Sequence, residues 1–379
     1  METYKEVVRK QSIINRLVAS KWLITTALII FAILTWVLTQ IAANNPQIVE
    51  KYYSSTVYPY IGMSLGSINS LVPFSIAEIA LILLLMGTLT VVILCIIRPK
   101  IFLNNINNIF HTSIRLLAII YILFYFLWGF NYFRVDYMNL ANMHGETGTV
   151  DDLIALTEEI IQNLNHTRIN LKEDNNGVFY LDEDFLELSK LAQHGFKNYT
   201  VGSINLDGNY GQAKPVLLSE YMGYTGIMGI YIPFTAEPNV NKDIPPQSIL
   251  STITHEMAHQ RGFAKEEEAN FIAYKANINN PDIRFKYSGY YLATQYLLNE
   301  IYIEDKETYF FLYSKLSDAV IRDMDYSREY WKSKEGKTEE IVTNMNDTYL
   351  KANNQSEGVR SYNGVVRLLL AEYKGNKGI

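Results

Sequence analysis

Three long runs of apolar residues occupy the first third of the 379-residue chain. They cover about residues 22–41, 75–97 and 114–130 and contain almost no charged side chains. A helix needs about 20 apolar residues to cross a bilayer, and uncharged runs of this length are rare in soluble folds. The pattern therefore predicts three transmembrane helices in a membrane domain of residues 1–133, and it disfavours buried helices of a soluble protein.

The second part of the chain, residues 134–379, shows a different pattern. Residues 150–164, 182–194 and 285–303 carry apolar side chains at helical spacing. Residues 224–234 instead mix β-branched and aromatic side chains with glycine, which favours a strand that ends at Pro233. We therefore predict a mainly α membrane protein, in which the three spans precede an α+β domain with a small sheet.

The positions of lysine and arginine predict the orientation in the cell membrane. The segment before the first run is basic, and the loop between the second and third runs contains Arg98 and Lys100. The loop between the first two runs has only Lys51, offset by Glu50. These positions predict a multi-pass protein whose N-terminus is cytoplasmic and whose second domain is extracytoplasmic. A cleaved signal peptide is the alternative for the first run, but its apolar core exceeds the typical ~7–15 residues.

Charge separates the two parts of the chain. Residues 1–133 contain nine Lys and Arg against four Asp and Glu, whereas the remainder contains 24 against 35, a net charge of −11. An acidic exterior domain argues against nucleic acid as a partner. The one cysteine, Cys95, lies in the second run, so the second domain relies on its own core without disulfides.

Candidate chemistry lies in the stretch His255-Glu256-Met257-Ala258-His259, which has the form H-E-x-x-H. On a helix the two histidines share one face and can bind one zinc ion, and Glu256 can act as general base on a water molecule. Pro245-Pro246 before the motif and Arg261-Gly262 after it are typical of a helix start and a helix end. The motif is therefore predicted to lie in a short helix.

A second helix is predicted directly after the motif, from Glu266 onward. Glu266 and Asn270 are four residues apart and share a face, so Glu266 can be the third zinc ligand and Asn270 can orient a ligating imidazole. Glu268 is the alternative ligand. It faces nearly the opposite side, and the sequence leaves the choice between the two carboxylates open.

These residues resemble known zinc peptidases. The H-E-x-x-H helix followed by E-x-x-A-N is similar to the gluzincin class, in particular to HtpX-type, CAAX-prenyl and ImmA/IrrE-type proteases. Residues 255–274, 226–241 and the three N-terminal runs together resemble the bacterial membrane-protein family "domain of unknown function 3810". The resemblance implies a zincin-like fold, a Zn²⁺ cofactor bound by His255, His259 and Glu266, and Glu256 as catalytic base, but no particular substrate.

The same resemblance suggests where a substrate would bind. An edge strand beside the metal would hold a peptide by strand addition, which points to Gly229, Ile230 and Tyr231 as substrate-binding residues; an ordinary hairpin in the core is the alternative. A tyrosine would stabilise the oxyanion, with Tyr287, Tyr290 and Tyr291 as candidates. The remaining histidines, His111, His144, His166 and His194, are predicted to be surface residues.

The expected function is a membrane-anchored zinc peptidase acting on a peptide or protein substrate. A non-catalytic, metalloprotease-like receptor or scaffold is the alternative, although such a protein gains nothing from the intact Glu256. A zinc hydrolase acting on a non-peptide amide or ester would use the same chemistry. The near absence of charge within the spans argues against a transporter.

Overall fold

The computed structural model describes residues 2–143, 148–355 and 364–377 and is mostly helical. In chain order, its helices are α1 Glu2–Ala43, α2 Pro46–Val49, a π-helical turn Glu50–Ser54, α3 Tyr58–Asn69, α4 Ile76–Ile97, α5 Pro99–Leu127, a 3₁₀ turn Gly129–Phe133, α6 Tyr137–Leu140, α7 Val150–Arg168, α8 Phe185–Ala192, a 3₁₀ turn Gln193–Phe196, α9 Ser219–Gly223, α10 Pro246–Gln260, α11 Glu266–Asn279, α12 Ile283–Glu304, α13 Lys306–Tyr313, α14 Asp318–Lys334, α15 Lys337–Ala352 and α16 Val365–Lys377. The strands are β1 Thr200–Val201, β2 Ile204–Asn205, β3 Lys214–Pro215, β4 Gly229–Ile232 and β5 Glu237–Val240.

Three helical segments are long and apolar enough to cross a membrane: Lys21–Ala43, Ile76–Ile97 and Phe102–Leu127. They indicate that the protein associates with a membrane, as the sequence predicts. The third segment begins 12 residues earlier than the predicted 114–130. Asparagines and a histidine between residues 104 and 111 interrupt the apolar run there, but they do not interrupt the helix.

The chain divides into two compact units, Met1–Asn45 with Ile79–Phe130 and Pro46–Glu78 with Asn131–Ile379. This division differs from the sequence-based boundary at residues 133 and 134, because residues 46–78 belong to the second unit. A buried ion pair illustrates the reason: Arg134 donates to both carboxylate oxygens of Glu50, at 3.0 and 2.8 Å. Contacts between residues so distant in the sequence have no local pattern that would reveal them.

In the first unit, α1 packs against α5. His111 of α5 is buried, and its Nδ1 lies 3.2 Å from the hydroxyl of Thr25 on α1. Arg115 donates to the same hydroxyl at 2.8 Å. The prediction of a surface position is therefore wrong for His111, whereas His166 and His194 are exposed. His144 lies outside the described residues.

The core of the second unit is built by α7, α10, α11 and α12, which pack against one another in pairs. Their buried faces include Ile160, Ile253, Ile272 and Leu297. A three-stranded sheet in the order β3-β5-β4 packs on α10, with β3 parallel and β4 antiparallel to β5. The small sheet and the helical core agree with the coarse fold class predicted from sequence.

Candidate metal centre

Helix α10 carries the H-E-x-x-H motif and has the predicted bounds. Pro246 is its first residue, where the missing N–H costs nothing. At the other end Gly262 has φ +85°, its N–H donates to His259 O, and the N–H of Phe263 donates to Ala258 O. This pair of bonds is the Schellman ending that favours glycine. The predicted helix start and stop are confirmed.

The two histidines and Glu266 converge. The rings of His255 and His259 stand edge to face, with their centroids 4.7 Å apart. The Glu266 carboxylate, from the first residue of α11, places Oε2 at 3.2 Å from His255 Nε2 and at 3.5 Å from His259 Nε2. One potential ligand atom from each residue lies within 4.8 Å of the other two.

Glu268, the alternative ligand, faces another part of the core. Its Oε1 accepts a hydrogen bond of 2.8 Å from the backbone N–H of Tyr137. The side chain is buried, and burial raises its pKa to about 7, partly offset by the charge of Lys265. Of the two carboxylates that the sequence left open, the fold brings Glu266 to the histidines.

Burial and mutual charge set the protonation of the site. Burial raises the pKa of Glu256 to about 7, against the lowering effect of His255 and His259. Burial alone would also raise the pKa of Glu266, but the two imidazoles hold it well below its usual range. For His259, burial acts to lower the pKa, yet the Glu266 carboxylate outweighs it and raises the pKa to about 9.

A backbone carbonyl fixes the orientation of His259. Its Nδ1 lies 2.7 Å from Phe263 O, and because a carbonyl only accepts, Nδ1–H is the donor. Nε2 is therefore the nitrogen directed at Glu266. Ligand histidines in metal proteins are commonly held by such a bond on the other ring nitrogen.

Asn270 contacts Tyr296, a residue that the sequence did not indicate as part of the site. Its amide donates 3.0 Å to the hydroxyl of Tyr296 on α12, so its hydrogen bond reaches a tyrosine rather than a ligating imidazole. Burial, and after it the charge of Glu266, raises the pKa of the Tyr296 hydroxyl, so this hydroxyl is within electrostatic reach of the candidate ligand. Tyr296 is 26 residues from Asn270, and only the packing of α12 on α11 brings it there.

Strand β4 lies at the edge of its sheet, directly beside Glu256. A Cβ atom built on Gly229 would lie 2.5 Å from Glu256 Oε1, so only glycine allows this approach. Met228 O accepts from Asn241 N–H, and in an antiparallel pair the next residue turns its N–H and C=O away from the partner. The backbone polar groups of Gly229 therefore face the outer edge of the sheet.

The other two predicted substrate-binding residues differ in position. Ile230 exposes 44% of its surface. The Tyr231 side chain is buried, and its hydroxyl lies 3.1 Å from that of Tyr58 on α3. Tyr58 also donates to Gln260 O at 2.8 Å. The side chain of Tyr231 therefore joins β4 to the metal helix, whereas the side chain of Ile230 lies on the opposite, exposed face of the sheet.

Residues 46–78 pack against the elements that carry the candidate metal centre. The sequence did not indicate this supporting role. Gly66 of α3 packs so closely that an added Cβ would lie 1.7 Å from Tyr210 O. Arg134, paired with Glu50, also donates 2.8 Å to Gly262 O and stacks 4.0 Å from the ring of Phe263. The contacts of Arg134 hold the turn between α10 and α11, and hence the distance of Glu266 from the histidines.

The tyrosines predicted to stabilise an oxyanion have other partners. Tyr287 is fully buried and donates to Asp323, which also accepts 2.6 Å from Arg168. Tyr291 is buried beside Tyr287, with ring centroids 6.1 Å apart, and Tyr290 packs on Tyr274. Tyr287 therefore belongs to an ion-pair network of the core rather than to the candidate metal centre.

Comparison with known proteins identifies a family whose function is unknown. No curated protein and no solved structure matches the chain. A family described as "Protein of unknown function (DUF3810)" matches residues 53–370, which includes the candidate metal centre and α3. The match covers most of the sequence, and the chain belongs to the DUF3810 family.

Proposed function

We propose that this protein is a membrane-associated, zinc-dependent peptidase with a zincin-like catalytic domain. One observation carries the proposal: three residues with ligand atoms, His255, His259 and Glu266, converge within 4.8 Å beside the buried carboxylate of Glu256. The motif spacing and the geometry thus favour the same chemistry.

The ligand set fits zinc. Tetrahedral zinc with bonds of about 2.0–2.2 Å places neighbouring ligand atoms roughly 3.3 Å apart. The two distances from Glu266 Oε2 to the histidine nitrogens, 3.2 and 3.5 Å, are close to that spacing. Three protein ligands leave a fourth position open, as catalytic zinc sites require.

Glu256 is suited to proton transfer. Within the described part of the chain its Oε2 is buried and has no hydrogen-bond partner, and its pKa of about 7 lies near the working pH that favours a general base. Zinc held by the three ligands would lower the pKa of a water molecule and polarise the scissile carbonyl. Glu256 would take the proton from the attacking water and pass it to the leaving amine.

The substrate would bind along β4. An extended peptide can pair with the outward backbone groups of Gly229, which places its backbone next to Glu256. The exposed Ile230 would then contact a substrate side chain. Strand addition of this kind recognises the peptide backbone and favours extended peptide or protein segments as substrates.

The packing of residues 46–78 supports the three-span arrangement proposed from the sequence. With three spans, the segment after the first span and the segment after the third lie on the same side of the membrane. These two segments form one compact unit, which requires a common side. With the cytoplasmic N-terminus that the basic residues predict, the metal centre would lie outside the cytoplasm.

Cleavage of a peptide library by the full-length protein tests the proposal. We expect zinc-dependent cleavage that is lost in Glu256→Gln, because the amide cannot take a proton, while bound zinc is retained. Glu268→Gln is the matched control, since Glu268 on α11 is, like Glu256 on α10, a buried acid with a pKa near 7, but it lies away from the histidines. Zinc binding without cleavage of any peptide would instead support a non-catalytic receptor.

A further inference from the structure

The surface next to the start of α4 carries exposed apolar side chains. Leu71 exposes 82% of its surface and Leu217 exposes 62%, and three further exposed large apolar residues lie within four positions of one or the other in sequence. We call this set the apolar rim; it consists of Leu71, Phe74, Leu217, Leu218 and Tyr221. Apolar patches of this kind on a folded domain mark surfaces that bind something.

Hydrogen bonds hold the two halves of the rim together. The Lys214 ammonium, just before Leu217, donates to Val72 O, just after Leu71. Glu78 accepts from the backbone N–H groups of both Leu217 and Leu218, at 2.7 and 2.9 Å. These bonds fix the rim within the second unit. The backbone N–H groups of Leu217 and Leu218, at its exposed end, are already hydrogen-bonded.

The rim also adjoins the first turn of an apolar helix. Glu237 of β5 accepts from the N–H groups of Ile76 and Ala77, at 3.0 and 2.8 Å, and Glu78 belongs to the same turn. Helix α4, which starts there, has no buried residue and is long and apolar enough to cross a membrane. Where that helix enters a bilayer, side chains beside its first turn meet the lipid headgroup region.

We propose that the apolar rim is a lipid-binding surface, inserted into the interfacial region of the bilayer in which α4 lies. Leucine, phenylalanine and tyrosine suit this region, where apolar bodies are buried and a tyrosine hydroxyl stays hydrated. The backbone N–H groups of Leu217 and Leu218 are bonded to Glu78, so they lose no hydrogen bond to water when they enter the interfacial region.

Together with the proposed function, on which this step rests, the rim indicates where substrates would reach the metal centre. Strand β3 ends at Pro215, next to the rim, and Gly229 lies two strands away in the same sheet. Two strand spacings are about 10 Å. Substrates would then be peptide segments held at the membrane surface.

Spin labels at single cysteines test the rim in the full-length protein. In a Cys95→Ala background, Leu217→Cys and Ile169→Cys are labelled with a nitroxide and reconstituted into phosphatidylcholine–phosphatidylglycerol vesicles. Ile169, at the end of α7, is the matched control, because it is also a highly exposed aliphatic residue of the second unit. Accessibility to oxygen and to a water-soluble nickel complex is measured by power saturation.

We expect the ratio of oxygen to nickel accessibility to be several-fold higher at residue 217 than at residue 169. Equal ratios would overturn the proposal, and so would protection of residue 217 from both reagents, since that pattern indicates a covering protein. Leu71→Cys repeats the measurement from the other half of the rim, should the first variant fail to fold. The outcome does not depend on zinc or on peptidase activity.

Discussion

Replacing Glu268 by glutamine is predicted to stabilise the protein at alkaline pH. Glu268 is buried in α11, and its Oε1 accepts from Tyr137 N–H, which a glutamine oxygen can also do. Its Oε2 has no partner among the described residues. Glutamine therefore reproduces the neutral acid in both shape and bonding.

The magnitude follows from the pKa of this carboxyl group. Burial raises it from an ordinary value of 4.5 to about 7, and each unit corresponds to about 1.36 kcal/mol. Because the folded state favours the neutral acid, the stability of the parent falls as the pH rises from 4.5 to 7 and is lowest above 7. The glutamine variant avoids this loss, which is at most about 3 kcal/mol.

Thermal unfolding of the full-length protein in detergent measures the difference, with a chelator present so that metal binding does not contribute. At pH 8 the variant should melt roughly 4–5 °C above the parent, and the gap should close towards pH 5. Glu187→Gln, an exposed acid on α8, should show no such gap. A Glu268→Gln protein that is less stable than the parent at pH 8, or a gap that does not change with pH, would refute the reasoning.

Three further variants test the contacts around the metal centre. Gly229→Ala should lower kcat/KM about 100-fold, because its Cβ displaces Glu256 by close to 1 Å; Gly336→Ala, with open space around it, should change nothing in the same peptide assay. Glu50→Ala should cost about 3–5 kcal/mol of stability in thermal unfolding, since it leaves Arg134 buried without its partner. Tyr296→Phe should weaken zinc binding about tenfold in competition with a chelating dye, because it removes the buried hydroxyl that interacts with the charge of the candidate ligand Glu266.

The local parts of the site could be predicted from sequence. The proline at the start of α10, the glycine at its end and the helical spacing of His255 and His259 each depend on neighbours within five residues. The three apolar helices could be predicted for the same reason, as their length and composition suffice. Short-range steric and hydrophobic rules govern all of these features.

The support of the site could not be predicted in this way. Tyr58 contacts Gln260 across 202 positions of sequence, and Glu50 pairs with Arg134 across 84. Tyr287 has the hydroxyl group expected of an oxyanion donor, yet this hydroxyl donates to Asp323 in the core. Which tyrosine or acid meets a given partner is decided by the packing of whole helices, which a residue pattern does not encode locally.

The metal content of the purified full-length protein tests the central claim most directly. After reconstitution with zinc and removal of the excess, we expect about one zinc ion per chain. The ion should be lost in His259→Ala and in Glu266→Ala and retained in Glu268→Gln. A parent protein that binds no zinc, or a Glu266→Ala protein that keeps the full amount, would contradict the assignment of this centre.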